Sequence, residues 1–81
     1  MSDAPQILDR IHALLAEDND IEVPRATLAA LPWKDTGLDS LPLMELVLHL
    51  EQEYDCTVSN EALREVVTFG DLAVILAQEM R

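Results

Sequence analysis

The chain has 81 residues, of which 16 are Asp or Glu and only 5 are Lys or Arg, so its formal net charge is -11. Such a surface repels nucleic-acid phosphates and anionic membranes, which argues against both as partners. It attracts proteins that carry basic patches, although the acid also serves simply to keep a small protein soluble. The length allows one small domain, residues 1–81.

The composition favours a helical protein of a reducing compartment. Hydrophobic residues make up 49% of the chain, yet only Trp33, Tyr54 and Phe69 are aromatic. A core of Leu, Ile and Val with few Gly suits helices packed on helices. Cys56 has no partner for an intrachain disulfide, and the chain has neither a secretory signal pattern nor a membrane-length apolar run. We therefore expect a cytoplasmic protein.

The first predicted helix follows Asp3, which is expected to act as N-cap with Gln6 three residues later and Pro5 in the first turn. Its buried face is expected to hold apolar residues at helical spacing: Ile7, Ile11, Leu14 and Leu15. An acidic run at residues 17–20 should close the helix, because negative charge opposes the dipole at a helix C-terminus.

A long connection is predicted over residues 19–39, which contain Pro24, Pro32 and Gly37. It exceeds the usual length of connections in compact domains, so it should be functional or held against the core. A short helical turn is expected at residues 27–31. The side chains expected to anchor the connection are Leu28, Leu31 and Trp33.

The second helix is predicted from Ser40 to Tyr54, with Asp39 as N-cap and Pro42 confined to the first turn. Its core face comprises Leu43, Leu46, Val47, Leu50 and Tyr54. A short third helix is predicted at residues 60–65, with Leu63 turned inward.

The final helix is predicted to start at Thr68, whose hydroxyl can cap it while Asp71 sits three residues on. Its expected stripe is Phe69, Leu72, Ala73, Leu76 and Met80. Together these elements predict an all-α four-helix bundle with a short third helix and a long loop between helices one and two.

Ser40 stands where the long loop meets the second helix. At about 100° per residue, Met44, Leu48 and Glu51 share its flank of the helix, outside the core stripe. An apolar patch with an acidic rim is typical of a docking surface. The patch and its rim comprise Leu41, Met44, Leu48, Asp39, Glu45 and Glu51.

A helix start also favours an anion, because its free N–H groups and dipole are positive there. No base is positioned to activate the serine: His49 falls about half a helical turn from Ser40, and His12 lies on another helix. The sequence therefore predicts that Ser40 is a modification site and that the protein is not an enzyme.

Two other motifs resemble parts of a catalytic site and of a metal site, but the surrounding sequence lacks the other residues that such sites need. The tripeptide Asp35-Thr36-Gly37 occurs in aspartic proteases, but those enzymes pair two such loops on β structure. The run Asp18-Asn19-Asp20 lacks the glycine and glutamate of a calcium loop, and the histidines and the cysteine lack metal-ligand spacing. We therefore predict no metal site.

The sequence resembles the acyl carrier protein family. The family signature is Asp-Ser-Leu at the start of the second helix, here Asp39-Ser40-Leu41. The resemblance continues through Glu45-Leu46-Val47, residues 50–55 and residues 58–61, and extends to the start of the last helix at residues 68–72. It is weak before Thr27.

The resemblance implies that Ser40, within Asp39-Ser40-Leu41, carries 4′-phosphopantetheine, transferred from coenzyme A by a phosphopantetheinyl transferase. The arm's thiol would hold an acyl or aminoacyl group as a thioester, and the interior near Leu46 is a possible shelter for an acyl chain. Loading ligases, ketosynthases or acyltransferases would dock through their own Lys and Arg. The implied docking positions are Asp39, Met44, Glu45, Leu48 and Glu51.

Three positions differ from the usual family pattern. Thr36 replaces a leucine before the glycine, Pro42 replaces a commonly acidic residue, and Gln52 interrupts a frequent run of acids. The changes at Pro42 and Gln52 thin the acidic charge near the serine, which favours a specialised or aminoacyl carrier over the carrier of fatty acid synthesis. The alternative from another class is an acidic helical adaptor that has no prosthetic group. In either case the charge favours a monomer.

Overall fold

Helices make up most of the computed structural model, which describes residues 3–80. They are α1 (Ala4–Asn19), α2 (Arg25–Leu28), a 3-10 helix (Trp33–Thr36), α3 (Ser40–Tyr54), α4 (Asn60–Arg64) and α5 (Phe69–Glu79). The described residues contain no strand beyond one isolated bridge between Pro32 and Thr68. The all-α class is confirmed. Besides the four predicted helices, the long connection contains α2, where a short helical turn is predicted, and the 3-10 helix, which is not predicted.

Helix α1 has the predicted stripe, and Ile7, Ile11, Leu14 and Leu15 are all buried. The predicted cap is wrong in its chemistry. Asp3 precedes the helix, but its backbone is helical (φ -86°, ψ -1°) and its side chain makes no capping bond. A capping side chain needs an extended backbone at that position to reach back to the first turn. The helix ends at Asn19, and Asp20 follows in the left-handed region (φ 55°).

The helical turn in the long connection lies two residues earlier than predicted. Pro24 has an extended backbone (φ -62°, ψ 131°) and precedes Arg25, the first residue of α2. The Pro24 carbonyl accepts hydrogen bonds from both the backbone N–H and the hydroxyl of Thr27, each at 3.1 Å. The proline ring fixes φ close to the value that leads into this turn, so the helix starts at the proline rather than at Thr27.

One apolar core joins the helices, with α1 lying against α5. The predicted core of α3 is confirmed at four positions, whereas Tyr54 is only half-buried. Leu28 is fully buried as predicted, while Leu31 and Trp33 are partly buried against the core. Sequence reasoning missed three buried residues in connections, Leu38, Val58 and Val66. The buried set of α5 is Phe69, Leu72, Ala73 and Leu76, whereas Met80, predicted in the same stripe, follows the helix and is partly buried.

Backbone hydrogen bonds tie the long connection to the segment before α5. The Trp33 N–H donates to the Val67 carbonyl at 3.0 Å, and the Trp33 indole N–H donates to the Val66 carbonyl at 3.2 Å. The Phe69 N–H donates to the Leu31 carbonyl at 3.1 Å. These bonds provide partners for backbone groups that lie at the edge of the core, where water cannot bond to them.

Both later helices begin with a side-chain cap, although only the cap of α5 is predicted from the sequence. The Ser59 hydroxyl accepts from the Ala62 N–H at 3.1 Å, and α4 then ends at Arg64, one residue short of the prediction. At α5 the Thr68 hydroxyl and the Asp71 carboxylate form the predicted capping box. Hydrogen bonds from the Thr68 and Val67 backbone N–H groups lower the pKa of Asp71.

Two arginines form ion pairs on the surface. Arg10 lies 2.8 Å from the Glu53 carboxylate and 3.9 Å from Glu17, and its hydrogen bond to Glu53 raises its pKa. Arg25 pairs with Asp9, so it links α2 to α1. Exposed pairs of this kind add little stability, but they occupy two of the few positive charges. No helix within residues 3–80 has the length and apolar character that a membrane crossing requires.

Gly70 lies where the long connection touches the first turn of α5, and its replacement by alanine should destabilise the fold. Its N–H donates to the Ala29 carbonyl at 3.0 Å, and a Cβ atom there would lie 2.5 Å from that same oxygen. A glycine-to-alanine change inside a helix ordinarily stabilises by about 1 kcal/mol. Here overpacking against backbone should reverse the sign and cost about 1–3 kcal/mol in urea unfolding followed by circular dichroism.

Gly37→Ala is the control, since its added Cβ meets nothing within 4 Å and its strain comes only from the positive φ of 81°. Amide hydrogen exchange at Phe69 and at position 70 should speed up in Gly70→Ala and stay unchanged in Gly37→Ala. A Gly70→Ala protein that is more stable than the parent would contradict the close approach.

Candidate functional site

The N-terminus of α3 has no side-chain cap. Asp39 has the extended backbone of an N-cap (φ -81°, ψ 170°), and its carbonyl accepts the Leu43 N–H at 3.1 Å. Its side chain nevertheless makes no capping bond. One reason is Pro42, the third residue of the helix, which has no N–H for a cap to accept. The first-turn N–H groups are thus not satisfied by a side chain, and the positive end of the helix dipole is uncovered.

Ser40, the first residue of α3, is exposed, and its hydroxyl has no hydrogen-bond partner among residues 3–80. Ser59 also stands next to a helix start, but its hydroxyl is engaged in a hydrogen bond that caps α4. A serine at this position is usually structural. The Ser40 hydroxyl does no structural work here and is available for chemistry.

The turn before Ser40 is held by a threonine. The Thr36 hydroxyl donates to the Trp33 carbonyl at 2.7 Å and accepts from the Leu38 N–H at 3.3 Å. Gly37 follows in the left-handed region (φ 81°), and Leu38 is buried. From the sequence, Thr36 is a difference from the family pattern and the centre of an Asp-Thr-Gly tripeptide, with no structural role. Its hydroxyl fixes the 3-10 turn that delivers Ser40 to the surface.

Two adjoining hollows meet at Ser40. The larger, of about 430 Å³, runs between the 3-10 helix, α3 and α4 and is lined by Trp33, Lys34, Ser40, Leu43, Met44, Asn60, Leu63 and Arg64. The smaller, of about 320 Å³, lies over the turn and is lined by Trp33, Lys34, Gly37, Leu38, Asp39 and Ser40. The serine is therefore at the edge of a groove that can hold a flexible chain attached to it.

The outward face of α3 carries the predicted apolar patch. Leu41 is 70% exposed, Leu48 53% and Met44 38%, which is unusual for large apolar side chains on one helix. Asp39 and Glu45 are exposed beside them. The patch and its acidic rim thus lie on the surface next to Ser40.

Glu51 differs from the other predicted docking residues. It is half-buried, and its carboxylate accepts the Val58 N–H at 2.6 Å. That bond closes the turn after α3, where Asp55 adopts the left-handed conformation (φ 53°). Glu51 therefore has a structural role that sequence analysis did not foresee. Replacing Glu51 with lysine is therefore expected to disturb this turn as well as the surface charge.

The histidines lie away from the serine. His49 faces a hollow of about 350 Å³ between the end of α1 and the opposite flank of α3, together with Asp18, Asn19, Pro42, Glu45 and Leu46. A His12 ring nitrogen lies 2.8 Å from the Val23 carbonyl. Neither reaches the Ser40 hydroxyl, which is what the helical spacing predicts.

Other reactive groups are not assembled into a site. Burial, followed by the nearby charges of Glu51 and Glu79, raises the pKa of the Cys56 thiol, which disfavours the reactive thiolate. Within residues 3–80, no three His, Cys, Asp or Glu side chains come together in a way that would hold a metal ion.

Comparison with known families decides the interpretation. The family profile described as a phosphopantetheine attachment site matches residues 9–75. The chain belongs to the acyl carrier protein family. A protein of this family holds 4′-phosphopantetheine covalently, and its members are generally carriers rather than catalysts. The matched span takes in α1, where the resemblance read from the sequence is weak. No solved structure matches the chain.

The residues at the start of α3 fit the carrier's prosthetic group. Attachment of 4′-phosphopantetheine needs a free hydroxyl, and Ser40 is exposed and unpartnered. The phosphodiester needs positive potential, which the uncapped end of α3 supplies. The pantetheine chain needs a groove, and both hollows open at the serine.

Proposed function

We propose that this protein carries acyl or aminoacyl groups as thioesters on a 4′-phosphopantetheine arm attached to Ser40, and presents them to partner enzymes. The observation that carries this proposal is the exposed, unpartnered Ser40 hydroxyl at the uncapped start of α3, within Asp39-Ser40-Leu41. When bound, the prosthetic group supplies a thiol on a long flexible arm. The protein supplies the anchor and the surface that partners read.

Attachment requires a separate transferase. The Ser40 oxygen forms a bond to the phosphorus of coenzyme A that bears the pantetheine. The pyrophosphate linkage breaks, and adenosine 3′,5′-bisphosphate leaves with the bridging oxygen and its electron pair. The hydroxyl proton must go to a base, and neither His12 nor His49 is placed to take it. The transferase provides that base and the binding energy, while this chain only presents the hydroxyl at a position favourable to the new phosphodiester.

The surface proposed for docking comprises the exposed residues beside Ser40: Asp39, Leu41, Met44, Glu45 and Leu48. Acidic groups around an apolar centre suit an enzyme whose surface offers Lys and Arg around an apolar contact. Phosphopantetheinyl transferases, loading ligases, ketosynthases and acyltransferases are the proposed partner classes. Glu51 contributes to the same negative field, but its carboxylate is already engaged with Val58.

Glu45→Lys should slow loading by the transferase about 3- to 10-fold at low salt and flatten the dependence of the rate on salt, because it reverses a charge on the docking surface. The fold should be unaffected, since Glu45 is exposed and makes no ion pair within residues 3–80. The measurement is the initial loading rate by mass spectrometry across a salt series, with circular dichroism as the check on folding.

Glu79→Lys is the matched control. It makes the same change in net charge at a distant place. Glu79 lies near Cys56, beyond the far end of α3, because its carboxylate is one of the charges that raise the pKa of the Cys56 thiol. A 15-residue helix separates that end from Ser40 by about 22 Å, more than twice the screening length at ordinary salt. Equal rates for Glu45→Lys and Glu79→Lys would show that the acidic face is not where partners dock.

We also propose that α1, α3, α4 and α5 act as the four-helix bundle of a monomeric carrier that works in the cytoplasm. The strong negative charge opposes self-association, and the lone half-buried Cys56 suits a reducing compartment. The thinned acidic charge at Pro42 and Gln52 supports a specialised or aminoacyl carrier.

The test is intact-mass spectrometry after incubation with coenzyme A and a transferase of broad specificity. We expect the mass to rise by one phosphopantetheine group, and peptide mapping to locate it on the segment that contains Ser40. An unchanged mass with several competent transferases would overturn the proposal and favour the acidic adaptor, which has the same fold and no arm.

A further inference from the structure

The larger groove beside Ser40 is positively charged, although the protein as a whole is strongly acidic. Lys34 from the 3-10 helix and Arg64 from α4 both line it, and none of its lining residues is acidic. The floor is apolar, formed by Leu43, Met44 and Leu63. Cations at the rim of an apolar groove are the arrangement expected where an anionic ligand binds.

The two cations are not there to neutralise acidic neighbours. Of the four Lys and Arg side chains in residues 3–80, Arg10 and Arg25 form ion pairs on other surfaces, whereas Lys34 and Arg64 form none. Lys34 lies 5.6 Å from the centre of the Trp33 ring, which positions its ammonium without consuming its charge. The chain carries a surplus of 11 negative charges, so two unpaired cations from separate elements in one groove indicate a binding site for an anion.

We propose that this groove binds an anionic group delivered by the arm on Ser40, with Lys34 on the side of the 3-10 helix and Arg64 on the α4 side. The proposal rests on the proposed function and adds a ligand chemistry to it. Two sources supply such a group: the phosphodiester of the arm itself, or a carboxylate on the cargo. Lys34 lines both hollows that meet at Ser40, so either source passes within its reach.

The groove can be tested without loading the protein. Free 4′-phosphopantetheine is added to the unmodified chain, and backbone amide shifts are followed by NMR. We expect saturable shifts at Lys34, Asn60 and Arg64 that weaken as salt rises, and much smaller ones with neutral pantetheine. The shifts should fall at least several-fold in a Lys34→Gln, Arg64→Gln protein, whereas Arg10→Gln, which removes a cation elsewhere, should leave them unchanged.

The loaded protein distinguishes the two sources. In a Cys56→Ala background the arm thiol is capped with iodoacetamide, which leaves it neutral, or with iodoacetate, which adds one carboxylate. The measured quantity is the melting temperature of each capped form minus that of the unmodified chain. We expect a gain on the order of 2–4 °C that vanishes in Lys34→Gln, Arg64→Gln and persists in Arg10→Gln. This difference cancels whatever each substitution does to the fold itself.

A gain with the neutral cap identifies the phosphodiester as the ligand, and a gain only with the carboxylate cap identifies the cargo. Gains and shifts that are the same in Lys34→Gln, Arg64→Gln as in the parent overturn the groove proposal and leave the carrier function standing. A chain that no transferase loads overturns the carrier function, while the titration with free 4′-phosphopantetheine still decides whether the groove binds anions.

Discussion

Replacing Ser40 with alanine should abolish loading completely, so that the mass of the protein no longer changes with coenzyme A and transferase. The reason is covalent: the alanine has no oxygen to form the phosphodiester. The fold should be unaffected, because the Ser40 hydroxyl is exposed and has no hydrogen-bond partner among the described residues. We expect the free energy of unfolding to change by less than about 0.5 kcal/mol.

Ser59→Ala is the matched control and should behave in the opposite way. Ser59 also stands at a helix start, but its hydroxyl caps α4 by accepting the Ala62 N–H. Its loss should cost about 1 kcal/mol of stability while loading continues at the parental extent. If Ser40→Ala gains the same mass as the parent, another residue carries the arm and the assignment of Ser40 is wrong.

Phe69→Ala should have the largest effect on stability. Phe69 is fully buried and is the largest of the side chains that the fold buries completely. Removing its ring leaves a cavity where α5 meets the long connection, at an expected cost of about 3–5 kcal/mol. Since small domains are stable by only about 5–15 kcal/mol, much of the protein's stability would be lost. Urea unfolding followed by circular dichroism measures the change.

Val74→Ala provides the comparison on the same helix, because Val74 is 46% exposed and its truncation should cost less than about 0.5 kcal/mol. Phe69→Leu should fall between the two, since it keeps most of the buried volume. If Phe69→Ala costs no more than Val74→Ala, the core is not organised around this ring.

Local signals made α3 predictable to the residue and marked the start of α5. A proline in the first turn and a five-position apolar stripe define α3, and its predicted range, Ser40–Tyr54, is confirmed. The threonine and aspartate of a capping box mark the start of α5. In both helices the information lies within one or two turns of the chain, where spacing rules apply.

Features that depend on distant contacts were not predictable in this way. The Glu51 carboxylate bonds an N–H seven residues on, beyond the end of its own helix, so helical spacing gave no hint of it. The burial of Leu38 and the exposure of the groove depend on how the long connection folds onto α5. Lys34 and Arg64 are 30 positions apart, and only tertiary packing brings them to one groove.

The candidate site also has a part that local sequence predicts and a part that it does not. Ser40 and its exposed apolar neighbours follow from a motif and a helical wheel, and the exposure of Leu41, Met44 and Leu48 agrees with that prediction. The uncapped start of α3 was not predicted from the sequence. In the structure the Asp39 side chain makes no capping bond, and Pro42, the third residue of the helix, has no N–H that could donate to a cap.

The opposite charges on the two sides of α3 have a consequence for how a partner approaches. Asp18 and Glu45 line the hollow on one side, and Lys34 and Arg64 line the groove on the other. A basic enzyme surface is drawn toward the first and pushed away from the second. The two fields therefore favour one orientation of the partner during encounter, since a partner rotated by half a turn about the serine brings its Lys and Arg toward Lys34 and Arg64 instead of toward Asp18 and Glu45.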